Sequence, residues 1–123
     1  MGAFVISKRF NGDFKFVFTS RKGKTIFTSL SYPAKENCEK DIELIKATLE
    51  SSTYLKFKSS NGKYYFKLIV RDQELASSRR YTTELRLQKG IDEIVQYGSK
   101  AETLDFSSDD LIFLDADIVE RKM

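Results

Sequence analysis

Two adjacent arginines, Arg79 and Arg80, and two lysines of an earlier turn, Lys22 and Lys24, are the residues whose types and spacing point most clearly to a chemistry. Guanidinium and ammonium groups bind phosphates and other anions, and the arginine pair stands just before a predicted helix start, where backbone N–H groups also favour anions. Taken alone, the pattern is better explained by solvated charges along the edge of a sheet, where lysines keep the strands of other molecules from pairing with it. The four residues are nevertheless our predicted contacts for an anion or a nucleic acid.

A second charged group stands near the C-terminus, where aspartates flank an apolar run. These aspartates are Asp109, Asp110, Asp115 and Asp117. Calcium loops need a glycine and a fixed spacing of oxygen ligands, and neither is present, so we predict no metal site. The apolar run is predicted to pack against the domain or a neighbouring chain, and it consists of Leu111, Ile112, Phe113 and Leu114. An acidic segment beside a basic body is also the arrangement expected of a cover over an anion site.

The residue types give little support to catalysis. The chain has no histidine, which removes the usual general base and the commonest zinc ligand. Its one cysteine, Cys38, falls on the apolar stripe of a predicted helix, so a packed, inert thiol is expected. An enzyme based on carboxylates such as Asp115 and Asp117 remains an alternative, but spacing identifies no partner base. We predict no catalytic residue, no cofactor and no metal.

The strands and helices that position these residues are predicted from an internal repeat in the sequence. Asn11-Gly12 recurs as Asn61-Gly62, and each pair predicts a two-residue type I′ hairpin turn. Each pair is followed by an alternating aromatic strand, a turn, a third strand and a helix. The sequence predicts an α+β fold, a tandem duplication of a β-β-β-α(-β) unit with an antiparallel sheet, one helix packed on it per repeat and a pseudo-twofold axis. The predicted repeats cover about residues 3–52 and 53–106 of a single domain, 1–106, and residues 107–123 form an acidic and apolar extension.

The aromatic strand of Gly12 to Phe18 bears a superficial likeness to the RNA-recognition strand whose rings stack on bases. That motif belongs to a β-α-β-β-α-β order, whereas this chain is predicted to place three strands before each helix. Its alternating rings would share one face, and a helix is expected to cover that face. We therefore predict that these rings pack in the core.

The pattern as a whole resembles the YegP-like family of small bacterial proteins. The resemblance rests on Asn-Gly, the aromatic strand, a strand reaching Ser29 and Tyr32, and the Lys-Gly-Ile-x-x-Ile-Val segment at 89–95. It implies a repeated β(3)-α-β fold with a single sheet and swapped terminal strands, and no established activity. The sequence departs from the family pattern at Asp41, where Gly90 is the matching residue, so a close helix contact made through that glycine should be lost on one side.

Charge and composition complete the functional prediction. Residues 1–99 carry 18 basic and 11 acidic side chains, whereas residues 100–123 carry 3 basic and 7 acidic ones. No apolar run before Lys8 predicts a signal peptide or a membrane span, so a cytoplasmic protein is expected. We predict a non-enzymatic binding or protein-interaction module that self-associates through its C-terminal extension. The alternative is nucleic-acid or polyanion binding by the basic body.

Overall fold

The computed structural model describes residues 2–107 and contains seven strands and two helices in that range. The strands are β1 (Ala3–Lys8), β2 (Phe14–Thr19), β3 (Thr25–Ser29), β4 (Thr53–Lys58), β5 (Tyr64–Val70), β6 (Gln73–Ser78) and β7 (Glu102–Asp105). Helix α1 (Lys35–Ala47) follows β3, and helix α2 (Glu84–Tyr97) follows β6. A short 3-10 turn, Gly98–Lys100, leads from α2 to β7.

All seven strands belong to one sheet, in the order β4-β5-β6-β3-β2-β1-β7. The centre of the sheet is the antiparallel β3–β6 pair, in which Phe27 lies opposite Ser78. At one edge, β7 runs parallel to β1, with Ala3 opposite Glu102, so the sheet is mixed. A single sheet agrees with what the family resemblance implied.

The predicted fold class is wrong. The structure does not show the predicted tandem β-β-β-α(-β) repeat on an antiparallel sheet, because its seven strands form one mixed sheet in which β7 pairs with β1 in parallel. The predicted symmetry also fails at the strands that follow the helices. β4 is the antiparallel partner of β5, whereas β7 is a parallel partner of β1. The result is a sheet-dominated α+β fold with two helices.

The two helices cover the same face of the sheet. Alternate strand residues on that face, among them Phe4, Phe16, Phe18 and Phe66, are fully buried and form one core with the apolar stripes of both helices. In α1 the stripe includes Cys38, Ile42 and Ile45, and in α2 it includes Leu87, Ile91 and Ile94. The prediction that these stripes and the rings at 16 and 18 pack in the core is therefore confirmed.

The opposite face of the sheet carries no helix among the described residues. A single row of side chains crosses it from edge to edge at matching register, and each of them is at least partly exposed. The row consists of Leu55, Lys67, Ser77, Thr28, Val17, Val5 and Leu104. Four of these residues are apolar and three are polar, so this helix-free face has the mixed character of a sheet face that meets water.

The hairpin turns differ in detail from the sequence prediction. The Asn11-Gly12 loop joins β1 to β2, but only Gly12 has a positive φ, at 93°, and the Gly12 N–H donates to the Arg9 carbonyl at 3.0 Å. The loop thus spans five residues instead of the two of a type I′ turn. The pair with two positive φ values is Arg71 and Asp72, at 51° and 65°, between β5 and β6.

Candidate anion-binding cleft

The turn between β2 and β3 presents Lys22 and Lys24. The Ser20 N–H donates to the Lys24 carbonyl at 2.8 Å across this turn, and Gly23 adopts the positive φ of 83° that the turn requires. The Ser20 hydroxyl oxygen also accepts the N–H groups of Lys22 and Lys24, at 3.2 and 3.3 Å. A serine that bonds three positions of its own turn fixes the backbone from which both lysine side chains extend.

The segment that follows β6 presents Arg79 and Arg80. The Arg79 N–H donates to the Ile26 carbonyl at 3.0 Å, and its carbonyl accepts the buried Ser78 hydroxyl at 2.7 Å. One residue beyond the pair, Tyr81 exchanges two backbone hydrogen bonds with Tyr64, at 2.7 and 2.8 Å. The two arginines are therefore held on a fixed backbone although their side chains are exposed.

Helix α2 supplies the third wall. Its N-cap is Thr83, and the Thr83 hydroxyl oxygen accepts the Arg86 N–H at 3.1 Å. Two of its cationic residues, Arg86 and Lys89, face the turn and the arginine pair. The helix also approaches the sheet closely, because Gly90 has no side chain and the Tyr81 ring occupies the space beside it.

These three walls enclose an open cleft of about 320 Å³. Six cationic side chains line it, and they are Lys22, Lys24, Arg79, Arg80, Arg86 and Lys89. Glu93 is the one carboxylate among the lining residues, and it accepts the Arg21 N–H at 3.4 Å. The ion pairs found between residues 2 and 107 are Lys35–Asp105 and Lys67–Glu74, so neither neutralises a cation of the cleft. We call this the cationic cleft.

The two arginines also contact aromatic rings. The Arg79 guanidinium lies 5.2 Å from the centroid of Tyr81, and the Arg80 guanidinium lies 3.8 Å from the centroid of Tyr65. Both distances fall within the range of a cation–π contact. Burial raises the pKa of the Tyr81 hydroxyl above its usual value, the Arg79 charge lowers it and the Glu93 charge raises it. At neutral pH this hydroxyl is thus protonated.

Tyr65 contacts Arg80 of the cleft but lies on the helix-free face of the sheet. Because Phe66 is buried in the core, Tyr65 beside it points to the opposite side of the sheet. Its cross-strand partner is Phe57, whose ring stacks on it with 5.2 Å between centroids and 19° between planes. The Lys67 ammonium lies 5.5 Å from the Phe57 centroid. We call Arg80, Tyr65, Phe57 and Lys67 the aromatic ladder.

A second cleft lies beside Tyr32 and makes a useful comparison. Tyr32 bridges to Phe14 as Tyr81 bridges to Tyr64, but the residues before it are Leu30 and Ser31 in place of two arginines. The Tyr32 hydroxyl donates to Asp41 at 2.7 Å, and Glu74 also lines this cleft. The contact expected to be lost at Asp41 is thus replaced by a hydrogen bond. Of these two clefts, the one beside Tyr81 is the one that concentrates cations.

The structure brings together all four predicted anion contacts, since Lys22, Lys24, Arg79 and Arg80 line one cleft. Arg86 and Lys89 also line the cleft and were not predicted. Their three-residue spacing would have placed them on one face of α2, but it does not show that this face lies beside the arginines. The predicted interface residues Leu111, Ile112, Phe113 and Leu114 lie outside the described residues, as do Asp109, Asp110, Asp115 and Asp117. Their predicted roles remain predictions.

Cys38 is fully buried, and burial is the main cause that raises the pKa of its thiol to about 11. It is therefore a packed thiol, as predicted. Within residues 2–107, no group of three or more cysteine and carboxylate side chains is arranged to hold a metal ion. In the part of the chain that the structure describes, neither α1 nor α2 is long and apolar enough to cross a membrane.

Comparison with known proteins gives consistent matches. Residues 11–53 match a family described as a domain of unknown function, DUF1508. The UPF0339 protein YegP of Escherichia coli strain K12 is 33% identical over 106 residues, which cover 85% of this chain and 96% of that protein. A UPF0339 protein of Acinetobacter baylyi is 30% identical over 108 residues, covering 86% of this chain and 97% of that protein.

Two solution NMR structures have the same fold. That of YegP from Escherichia coli, described as a protein of unknown function, superposes with a TM-score of 0.79 at 32% identity and covers 87% of this chain and 94% of its own. That of a UPF0339 protein from Shewanella oneidensis superposes with a TM-score of 0.80 at 28% identity, over 86% and 92% of the two chains.

Proposed function

This chain belongs to the UPF0339 family of YegP-like proteins, and from the geometry of its own cleft we propose that it is a non-enzymatic binding module for a phosphate-bearing polyanion. The observation that supports the proposal is the cationic cleft, in which six cationic side chains from three elements meet around about 320 Å³. YegP of Escherichia coli is described as a protein of unknown function, so it suggests no ligand for this chain.

The balance of charge favours a ligand with several negative charges. Like charges held close together repel, and a cleft with low-dielectric walls strengthens the field that they produce. Within the described part of the chain, Glu93 is the one acid that lines the cleft. A bound polyanion would neutralise the remaining positive charge and release its own counterions, which adds a favourable entropy of binding.

The groups that line the cleft bind charge and are poorly suited to proton transfer. Arginine stays protonated at every physiological pH, and the raised pKa of Tyr81 keeps its hydroxyl protonated. A general base would need a pKa near the working pH. Guanidinium groups can instead donate paired hydrogen bonds to phosphate oxygens, which supports recognition without chemistry.

Calorimetric titration of the full chain with inorganic polyphosphate tests the proposal. We expect binding that weakens steeply as salt is raised, and that is strongly reduced in the double variant Arg79→Ala, Arg80→Ala. The matched control is Lys8→Ala, Arg9→Ala, which removes the same charge from two adjacent residues at the end of β1. Lys8 lies opposite Phe14, at the end of β2 that is about 17 Å from the turn that carries Lys22 and Lys24.

The control variant should bind polyphosphate as the native chain does, because its lost charges lie outside the cleft. Equal losses in the two double variants would mean that net charge alone attracts the ligand, and they would contradict the proposal. So would polyphosphate binding that is insensitive to salt, or no binding at low salt.

A further inference from the structure

We infer that the polyanion is a single-stranded nucleic acid, whose phosphates lie in the cationic cleft while its bases stack on the aromatic ladder. The inference rests on the proposed function and adds a second surface to it. Arg80 connects the two, because it lines the cleft and its guanidinium lies 3.8 Å from the Tyr65 centroid. A strand bound to the cleft therefore reaches stacked rings without leaving the protein surface.

The ladder is placed for contact with a ligand and not for packing in the core. Tyr65 and Phe57 lie on the helix-free face and are partly exposed, whereas their neighbours Tyr64 and Phe66 pack in or against the core. Single exposed apolar residues are common on protein surfaces and need no explanation. Two rings stacked at 5.2 Å and flanked by two cations form a platform of the kind that binds bases in single-stranded nucleic acids.

The ladder and the cationic cleft occur on the same part of the sheet. The antiparallel pair β1–β2 has its own cross-strand pair at the matching register, Ser7 opposite Lys15, and it holds no ring. The cleft on that part of the sheet is lined by Leu30, Ser31 and Asp41 and lacks the cations. Aromatic rings and cationic groups are therefore present together or absent together, as expected if one ligand uses both.

At the far end of the ladder, a base can displace the Lys67 ammonium from the face of the Phe57 ring. The Lys67 ammonium covers Phe57 at 5.5 Å, but it also lies 3.4 Å from the Glu74 carboxylate. When a base stacks on Phe57, Lys67 keeps Glu74 as its partner. At the other end, the planar Arg80 guanidinium offers a second stacking surface to a base. Stacking of this kind tolerates any base sequence, because every base has a π face.

A paired duplex does not expose its bases to such a platform. The rings of a duplex stack on one another, so the ladder would gain a contact only with unpaired bases, whereas the phosphates of either form would reach the cleft. We therefore expect a preference for single strands over a duplex of the same length, in addition to a salt-dependent affinity for both.

Fluorescence anisotropy with a labelled twelve-nucleotide oligothymidylate tests the inference, with a duplex of equal length and inorganic polyphosphate as competitors. The variants are Phe57→Leu and Tyr65→Leu, which keep an apolar side chain in the strand but remove the π face. Each should weaken oligonucleotide binding roughly 5-fold to 150-fold, from a stacking contribution of about 1–3 kcal/mol per base. Phe10→Leu is the matched control, since Phe10 is a fully exposed ring in the β1–β2 loop.

Salt dependence separates the two surfaces. The double variant Arg79→Ala, Arg80→Ala should lower the slope of log affinity against log salt by about 1.4, at about 0.7 for each lost phosphate contact with a single strand. Phe57→Leu should leave that slope unchanged, because stacking releases no counterions. Tyr65→Trp should restore the affinity that Tyr65→Leu loses, which a merely structural effect of the substitution would not do. Circular dichroism and thermal melting establish that each variant is folded.

The outcomes distinguish this inference from the proposed function. If polyphosphate binds through Arg79 and Arg80 but both ladder variants hold the oligonucleotide as tightly as the native chain, the inference is wrong and the proposed function stands. Equal affinity for duplex and single strand would also refute it. If neither polyphosphate nor oligonucleotide binds at low salt, both are wrong.

Discussion

The substitution Gly90→Ala tests the packing at the cleft with a single methyl group. A Cβ atom built on Gly90 would lie 2.5 Å from the Tyr81 hydroxyl oxygen and 3.1 Å from its Cζ. The Tyr81 ring is 9% exposed and is anchored by backbone bonds to Tyr64, so it has little room to move. The ring and the helix must separate to admit the methyl group.

The magnitude follows from two opposing effects. Replacing glycine by alanine in a helix interior normally stabilises the fold by about 1 kcal/mol, and overpacking of a buried site normally costs about 1–3 kcal/mol. We expect Gly90→Ala to destabilise the chain by about 0–2 kcal/mol. In a Tyr81→Phe background the nearest atom is gone, so the same substitution should be at least 1 kcal/mol less costly.

Urea unfolding of the four proteins, the native chain, each single variant and the double variant, measures this coupling directly. With a slope of about 1–3 kcal/mol per molar urea, each kcal/mol moves the midpoint by roughly 0.3–1 M. The reasoning is refuted if Gly90→Ala stabilises the native chain by about 1 kcal/mol, as an unhindered helix glycine would, and does so equally in the Tyr81→Phe background.

Two further predictions concern titratable groups. Hydrogen bonds from the Ser107 hydroxyl and N–H, with a smaller effect of Lys35, hold the pKa of Asp105 below its usual value. The stability that the Asp105 carboxylate contributes is therefore fully present above its unfolded pKa, near about 3.9. It is lost as the pH falls through the lower folded pKa. The difference between the urea midpoints of the native chain and Asp105→Asn should therefore be largest at pH 7 and should shrink as the pH is lowered below about 3.9, and a difference that stays constant would contradict this. Cys38, buried and with its pKa raised to about 11, should react with a thiol reagent only after unfolding, and rapid labelling of the folded chain would contradict its placement in the core.

Each of the four predicted anion contacts stands at a position that can be located from the sequence. Lys22 and Lys24 occupy a glycine turn, and Arg79 and Arg80 stand between a strand end and a helix cap. The sequence could not show that the turn and the strand end face each other. That depends on the β3–β6 pairing at the centre of the sheet, which is long-range and leaves no local pattern.

The aromatic ladder was missed for a related reason. Alternation shows that Tyr65 points away from Phe66, but it cannot show that Phe57 lies opposite Tyr65, because that register depends on the length of the β4–β5 loop. The parallel pairing of β7 with β1 could not be predicted either. β7 is four residues long, and its partner lies at the far end of the chain, so nothing local distinguishes the mixed sheet from the predicted antiparallel one.

The parallel pairing of β7 with β1 has a consequence for synthesis on the ribosome. Ala3 lies opposite Glu102, so the outer side of the first strand to emerge waits for a partner that is made about 100 residues later. At about 5–20 residues per second, that side stays unpaired for roughly 5–20 seconds. The nascent β1–β2 hairpin therefore presents an open strand edge until β7 is made, and this edge is where we expect chaperone binding or aggregation to begin.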